Sequence, residues 1–314
     1  MQIGSFVAGD WGTSHLRLFL CNADGVVLDS VAGPGAADSG GRFAAVLASL
    51  VAPWEERHGP LPAVLCGMVG SNMGWAQAPY VICPARPEAI ADACVALHGG
   101  TVHIVPGLSC RNRFDAPDFL RGEETQILGA LTLLPALGEG LGLLCLPGTH
   151  TKWAVVEDGS IRDFFSAPTG ELFALLRDHS VLVRNRGLHD GADSNAFSKG
   201  VAQFNAFPQA QLLHRLFECR ARQLSGEFTA PAAEAYLSGL LIASDVHGAL
   251  RLLPDSAMPQ PICVIGSTEL TQRYAAALAF SHHEVRCVDG CAASLAGLAH
   301  VHRRLSLRET AHGI

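Results

Sequence analysis

The chain has 314 residues, 49% hydrophobic and 16% charged, with a formal net charge of -7 and a pI near 6.0. That length suggests two domains, and that composition supports packed cores and excludes a disordered chain. Acidity and scattered Lys and Arg exclude the basic footprint of a nucleic-acid binder, and no apolar run approaches the ~20 residues of a membrane span.

Phe6 to Ala32 reads as three short strands, with the turn Gly12-Thr13-Ser14 inside the first hairpin and Asp24-Gly25 inside the second. Asp10 ends the first apolar run, and an acidic residue followed at once by Gly-Thr-Ser needs a reason. Arg42 to Leu50 has helical spacing and should end near Pro53. Pro62 to Val69 reads as a buried strand running into Gly70-Ser71-Asn72-Met73-Gly74-Trp75, which sets small polar donors and one large ring at a sheet's carboxyl edge. Glu88 to His98 is expected to be helical and Val102 to Val105 a strand ending at the Pro106-Gly107 turn.

Arg121-Gly122-Glu123-Glu124 opens a helix running to Pro135, with Glu124, Ile127, Leu128 and Leu131 on one face. A carboxylate in this first turn is favoured as the anion by the helix dipole, which suits a base or a cation site, but first-turn acids are also common for that reason alone. Leu141 to Ala167 then repeats the opening pattern: apolar strand, Gly148-Thr149 turn, strand, Asp158-Gly159 turn, strand. An ordinary polar-tipped hairpin explains one such stretch; two copies about 135 residues apart suggest a duplicated domain rather than a solenoid period.

Thr169-Gly170-Glu171 opens another helix, and Arg184 to Asn195 reads as a mobile surface loop. Helices are expected at Gln209 to Gln223 and Ala232 to Leu253, with a linker from Pro254 to Pro261. Cys263 to Ala279 follows as strand, Gly266-Ser267-Thr268, helix, a nucleotide-type junction. Val285 to Val288 is a strand, and the small residues from Gly290 to Gly297 open a closing helix suited to tight packing. Ten cysteines include no Cys-x-x-Cys pair, Cys287 and Cys291 being the closest two, and the N-terminus lacks a signal-peptide pattern. A reducing cytoplasm is the expected location. There is no P-loop signature, and Gly138-x-Gly140-x-Gly142 precedes a strand where a dinucleotide fingerprint must follow one.

Two strand-Gly-Thr-strand hairpins, a carboxylate-bearing helix between them, a Gly-Ser-Thr junction and a small-residue closing helix resemble, in that order, the sugar kinase, heat-shock ATPase and actin superfamily. Within it, Gly9-Asp10-Trp11-Gly12-Thr13-Ser14-x-x-Arg17, Cys66 to Trp75, Arg121 to Gln126, Pro147-Gly148-Thr149-His150-Thr151-Lys152-Trp153 and Leu237 to Ile242 are similar to blocks of the 2-dehydro-3-deoxygalactonokinase family. Thr151 departs from that pattern, which carries Cys.

The resemblance implies two duplicated ribonuclease H-like domains of α/β class, each a mixed sheet flanked by helices, with a ligand cleft between them that closes by a hinge. Residues 1–130 with 291–314 would form one domain, holding the first phosphate loop and the sugar-acid site. Residues 131–290 would form the other, holding the second phosphate loop and the adenosine site. It implies transfer of phosphate from ATP, with magnesium, to the 6-hydroxyl of 2-keto-3-deoxygalactonate in galactonate catabolism.

On that reading Glu124 is the base and Glu123 its rival, while Arg17 and Lys152 approach the γ phosphate. Gly12, Thr13 and Ser14 together with Gly148, Thr149 and His150 cradle the phosphates; Asp10 holds the metal; Gly266 and Ser267 meet the adenosine. Ser71, Asn72, Trp75, Gly170 and Glu171 are the candidates for the sugar acid, a small molecule being the only partner besides a homodimer mate. The gluconate epimer as substrate, a phosphohydrolase, and a regulatory ATP-binding protein are the competing expectations; an intact Glu124 and the nine residues before Asp10 tell against the last.

Overall fold

The structure, a computed structural model, describes residues 4–183, 194–207, 209–253 and 261–312. Most of the stretch expected to be a mobile loop, residues 184–193, and nearly all of the expected linker lie outside the described residues.

The opening meander forms as expected: β1 (Phe6–Trp11), β2 (His15–Cys21) and β3 (Val27–Pro34), with Asp10 opposite Arg17 across the first antiparallel pair. Gly25 supplies the left-handed backbone of the second turn at φ 85°. α1 (Phe43–His58) runs past Pro53, because Val51 and Trp54 stay buried on its inner face; it stops at Gly59, whose N–H bonds Glu55 O from a positive φ. β4 (Ala63–Gly67) is fully buried and passes into a single 3-10 turn, Met68–Gly70.

β5 (Tyr80–Ile82) follows, and the helix expected from Glu88 to His98 is only α2 (Pro87–Asp92). Its second half is instead β6 (Val95–Leu97), recruited as an antiparallel edge to β7 (Val102–Ile104) with Val95 opposite Ile104. β8 (Gly107–Arg111) and β9 (Pro117–Leu120) join β5 in a small three-stranded sheet that has no counterpart among the sequence expectations. α3 (Glu123–Leu133) carries the two glutamates in its first turn.

β10 (Leu141–Leu146), β11 (Thr151–Glu157) and β12 (Ser160–Ala167) form the second meander, followed by α4 (Thr169–His179). α5 (Ser194–Ala206) was not expected, and the helix expected over Gln209 to Gln223 is two short pieces, α6 (Leu212–Arg215) and α7 (Glu218–Leu224). The break lies at Arg215, which is buried and reaches both Gln203 O and Glu218. α8 (Ala230–Arg251), β13 (Ile262–Gly266), α9 (Thr268–Phe280), β14 (Val285–Asp289) and α10 (Gly290–His312) complete the chain.

The larger sheet runs β3-β2-β1-β4-β7-β6 and the next β12-β11-β10-β13-β14. In each, a three-stranded meander is extended past its first strand by a parallel neighbour, β4 beside β1 and β13 beside β10. The chain divides into two compact units, Met1–Leu141 with Val155–Phe164 and Asp289–Ile314, and Gly142–Ala154 with Phe165–Val288.

In the first unit the sheet buries Val7, Trp11, Leu16, Leu18 and Leu65 against Leu47, Val51 and Trp54 of α1. α3 and α10 cross main chain to main chain: a Cβ on Gly129 would lie 1.7 Å from Ala293 O, and one on Gly297 2.0 Å from Thr125 O. The closing helix therefore packs as tightly as its small residues suggest, and it fixes the start of α3. Arg113 meets Asp163 at 3.3 Å, and Ala85 bridges Ile161, within the same unit. Among the described residues no helix is long and apolar enough to cross a membrane.

Candidate active site

The first unit gathers its carboxylates at the carboxyl ends of β1 and β4. Arg17 Nη2 donates to Asp10 Oδ2 at 2.6 Å, with the Asp10 side chain 19% exposed and Arg17 48%. Partial burial opposes the guanidinium charge, yet the neighbouring Asp10 charge and hydrogen bond hold Arg17 above its ordinary pKa. The Gly12 N–H donates to His15 O at 2.9 Å, so this donor, expected to face a phosphate, is committed to the turn itself. Ala36 and Ala37 N–H groups take the Gly12 and Thr13 carbonyls, leaving Thr13 and Ser14 as the exposed tip.

Glu124 is fully buried. Its Oε2 accepts from Gly122 N–H at 2.6 Å and its Oε1 from Thr125 Oγ1 at 3.0 Å, so both oxygens are anchored at the helix start. Burial, and after it the Glu123 charge, push the Glu124 carboxyl up to about 8, against the pull of those hydrogen bonds. Glu123 is partly exposed and accepts from Arg121 N–H at 3.0 Å.

Gly67 joins the two acidic groups: it has φ 90°, a Cβ there would lie 3.6 Å from Asp10 Oδ1, and a Cβ on Gly122 would lie 3.6 Å from Gly67 Cα. A side chain is excluded at Gly67 by that left-handed φ and by Trp11 O, which would lie 2.8 Å from its Cβ. The buried Cys66 thiol, next in the strand, is pushed well above its ordinary value by burial and then by the Asp10 and Glu124 charges.

The expected sugar-acid residues divide. Ser71 is buried and its Oγ accepts from Met73 N–H at 3.3 Å, while Asn72 is exposed. Trp75 packs beside His98 and lines a cavity of about 580 Å³ with Leu47, Val51, Val102 and His302. Arg121 was not among the candidates, although it sits at the centre of this loop: Nη2 donates to Ala78 O at 2.9 Å, and the guanidinium carbon lies 4.4 Å from the Tyr80 ring centroid.

The second unit brings Gly148, Gly170 and Ser267 to one cavity of about 300 Å³, with Ser238 and Arg273 on its wall. A Cβ on Gly170 would lie 2.2 Å from Gly148 O, and Glu171 N–H bonds Thr149 O at 2.9 Å, so the start of α4 rests directly on the second glycine turn. Gly170 therefore lies with the nucleotide candidates. Exposed His150 Nε2 pairs with Glu171 Oε2 at 2.8 Å. Lys152 is buried and donates to Ser166 Oγ on the neighbouring strand. Gly266 packs on Pro147, a Cβ there lying 3.5 Å from Pro147 Cγ, and Ser267 caps α9 by accepting from Leu270 N–H.

Behind this cavity is a polar hub that sequence reasoning missed. Asp245 accepts from Trp153 Nε1 at 2.9 Å, Thr169 Oγ1 at 2.6 Å and Tyr274 OH at 2.6 Å. Tyr274 OH also meets Thr151 Oγ1 at 2.7 Å, so the residue that departs from the family pattern belongs to the hub. Desolvation raises the Asp245 pKa, and the Thr169, Tyr274 and Trp153 bonds pull it back. The one available signal was an aspartate within the apolar run of α8.

A model of the 2-keto-3-deoxy-galactonokinase family matches residues 10–301. The 2-dehydro-3-deoxygalactonokinase of Escherichia coli is 35% identical over 295 residues, covering 93% of this chain and 96% of that protein. A candidate 2-dehydro-3-deoxygalactonokinase of Rhizobium meliloti is 37% identical over 303 residues, covering 94% and 96%. The crystal structure of a candidate enzyme of that name from Sinorhizobium meliloti superposes with a TM-score of 0.84 at 35% identity, covering 94% of this chain and 97% of that one. The activator of a 2-hydroxyisocaproyl-CoA dehydratase from Clostridium difficile, at 10% identity and a TM-score of 0.53, shares the fold alone.

Proposed function

The chain belongs to the 2-keto-3-deoxy-galactonokinase family, and on that premise we propose that it transfers the γ-phosphoryl group of ATP to the 6-hydroxyl of 2-dehydro-3-deoxy-D-galactonate, giving 2-dehydro-3-deoxy-6-phospho-D-galactonate. The observation that carries the reading is Glu124, a buried carboxyl with its pKa lifted to about 8, adjoining through Gly67 the Asp10–Arg17 pair. Phosphoryl transfer asks a protein to position its reactants and to stabilise the charge that develops, and little else.

Glu124 takes the proton of the acceptor hydroxyl. Its oxygens are held by Gly122 N–H and the Thr125 hydroxyl, so the carboxylate keeps one orientation while a remaining lone pair receives that proton. Arg17 offers a cation to the transferring group, and Thr13 and Ser14 offer hydroxyls from the exposed turn. In the second unit, the cavity bounded by Gly148, Gly170 and Ser267 takes the nucleotide, with Ser238 and Arg273 on its wall.

Magnesium suits this donor set. Asp10 is partly exposed, and among the described residues no group of three or more His, Cys, Asp or Glu side chains forms a protein cage. A cation that retains water and binds one carboxylate plus phosphate oxygens needs no such cage. Asp10 would hold it, and the ion would supply neutralisation of charge on the phosphate oxygens.

The test is ADP release from magnesium ATP with 2-dehydro-3-deoxygalactonate, with its gluconate epimer, and with no acceptor. Release with the galactonate compound alone is the expected result. Release without acceptor would make the protein a hydrolase, and equal release with the two epimers would remove the stereochemical assignment.

A further inference from the structure

Arg121 has hydrogen bonds left to make. Its Nε and Nη1 atoms are buried and have no hydrogen-bond partner, and among the described residues no carboxylate pairs with its guanidinium. Buried polar groups in native proteins are almost always satisfied, and a buried charge is ordinarily paired. The two other arginines of the first unit with an unsatisfied Nε differ in kind or in place. Arg113 is paired with Asp163, and Arg304 lies on the distal part of α10, well after its Gly290 start. Arg17 is already engaged by Asp10.

The surroundings hold the guanidinium still. One face lies on Tyr80, Nη2 is fixed by Ala78 O, and Nη1 lies against the main chain of Gly70, where a Cβ would come within 2.8 Å. A single 3-10 turn, Met68–Gly70, separates this point from Gly67, where the Asp10 and Glu124 segments meet. At about 2 Å of rise per residue that turn spans roughly 6 Å, comparable with the length of an extended six-carbon acid. A ligand with its hydroxyl end at Gly67 therefore has its other end at Gly70.

We infer that Arg121 receives the carboxylate of the sugar acid, so that the Gly67–Gly70 turn acts as a ruler between the cation that binds one end of the substrate and the carboxyl group that deprotonates the other. The inference rests on the proposed sugar-acid kinase reading and adds the residue that makes it select acids over neutral sugars. An arginine gives a carboxylate two parallel donors, which fixes direction as well as affinity. Both nitrogens are covered in the free protein, so the acid reaches them by displacing chain beyond the Gly67–Gly70 turn, which itself stays in place.

Steady-state kinetics of wild type, Arg121→Gln, Arg121→Lys and Gly70→Ala, each with 2-dehydro-3-deoxygalactonate and with its C1 amide, test this. In Arg121→Gln the KM for the acid should rise about 10²-fold, the KM for ATP should stay within about twofold, and the preference of acid over amide should collapse. Gly70→Ala, which pushes a methyl group at Nη1, should raise the KM for the acid in the same direction. If Arg121→Gln does not fold, Arg121→Lys carries the comparison, retaining the acid preference while losing affinity for both compounds.

An equal loss of kcat/KM on acid and amide would make Arg121 a strut for the loop and overturn the inference. Wild type that phosphorylates acid and amide equally well would also overturn it while leaving the proposed kinase standing. Wild type that phosphorylates neither would remove both.

Discussion

Arg17 and Asp10 stand opposite each other in the β1–β2 register and share a 2.6 Å hydrogen bond, so the only charged residue of β2 is aimed at the acid one residue before the end of β1. On the proposed reading a cation takes over Asp10, which frees Arg17 to meet the transferring phosphoryl group. Arg17→Gln should lower kcat on the order of 10²- to 10³-fold, as loss of a transition-state donor does, with the KM for the sugar acid nearly unchanged. A magnesium titration of the same variant should show half-saturation at lower metal concentration, because the competing cation is gone. Unchanged kcat would remove Arg17 from the reaction.

As the proposed base, Glu124 should set the pH dependence of turnover. Below about 8 its carboxyl holds a proton and cannot accept another, so turnover should climb with pH along a limb centred near 8. Glu124→Gln should cost 10² to 10⁴ in kcat and abolish the limb, while Glu123→Gln, lacking that buried setting, should keep it. A limb that survives in Glu124→Gln and vanishes in Glu123→Gln would transfer the role of base to Glu123.

The same carboxyl predicts a stability effect of fixed sign. Its folded pKa, about 8, lies above its unfolded value near 4.5, with burial the first cause and Glu123 the second. Between those values the folded protein binds the extra proton, so the contribution is complete below the unfolded pKa and is lost as pH rises through 8. Glu124→Gln never ionises. Its advantage over wild type should therefore be small at pH 5 and reach roughly 3 to 5 kcal/mol by pH 9. Denaturant melts at the two pH values read it directly, and a difference that does not grow with pH would mean that Glu124 is ionised in the fold.

What the sequence made legible was what is local. Both meanders, the glycine turns, the first-turn glutamates of α3 and the Gly266-Ser267 junction follow from alternation, turn residues and caps. Elements set by distant partners were harder. Val95–Leu97 becomes a strand only because Val102–Ile104 offers an edge, and the β5-β8-β9 sheet is built from strands of three to five residues, too short to show a period.

The site divides in the same way. Asp10 and Arg17 announce themselves as charges in apolar strands and Glu124 as a first-turn acid on an apolar helix face, whereas Arg121 reads as an ordinary loop arginine until its unpaired nitrogens are seen. Lys152, a charge beside a glycine turn, reads as a phosphate ligand, but it lies on a strand buried on both faces and donates to Ser166. The weight of Thr151 is not legible from the chain, since its bond to Tyr274 crosses from the start of β11 to a distant helix.

Asp245 shows how much of the proposed nucleotide cavity is held from behind. Its carboxylate takes Thr169 Oγ1 at the start of α4, Trp153 Nε1 on β11 and Tyr274 OH on α9, three elements that border or support the cavity at Gly148, Gly170 and Ser267. Removing it strands these donors, each buried donor left unsatisfied being worth about 1–3 kcal/mol. Asp245→Ala should therefore destabilise the protein by several such units and raise the KM for ATP. Asp245→Asn keeps the shape and one acceptor oxygen, and the hydroxyls of Thr169 and Tyr274 can rotate to accept from the new amide. It should recover most of the stability while still loosening the start of α4 against the glycine turn, so its KM for ATP should stay raised with the KM for the sugar acid unaffected. Thr151→Cys, which weakens only the outermost bond of the hub, should move ATP affinity in the same direction by a smaller factor. If Asp245→Asn restored ATP affinity together with stability, the hub would be structural scaffolding rather than a support for the nucleotide turn.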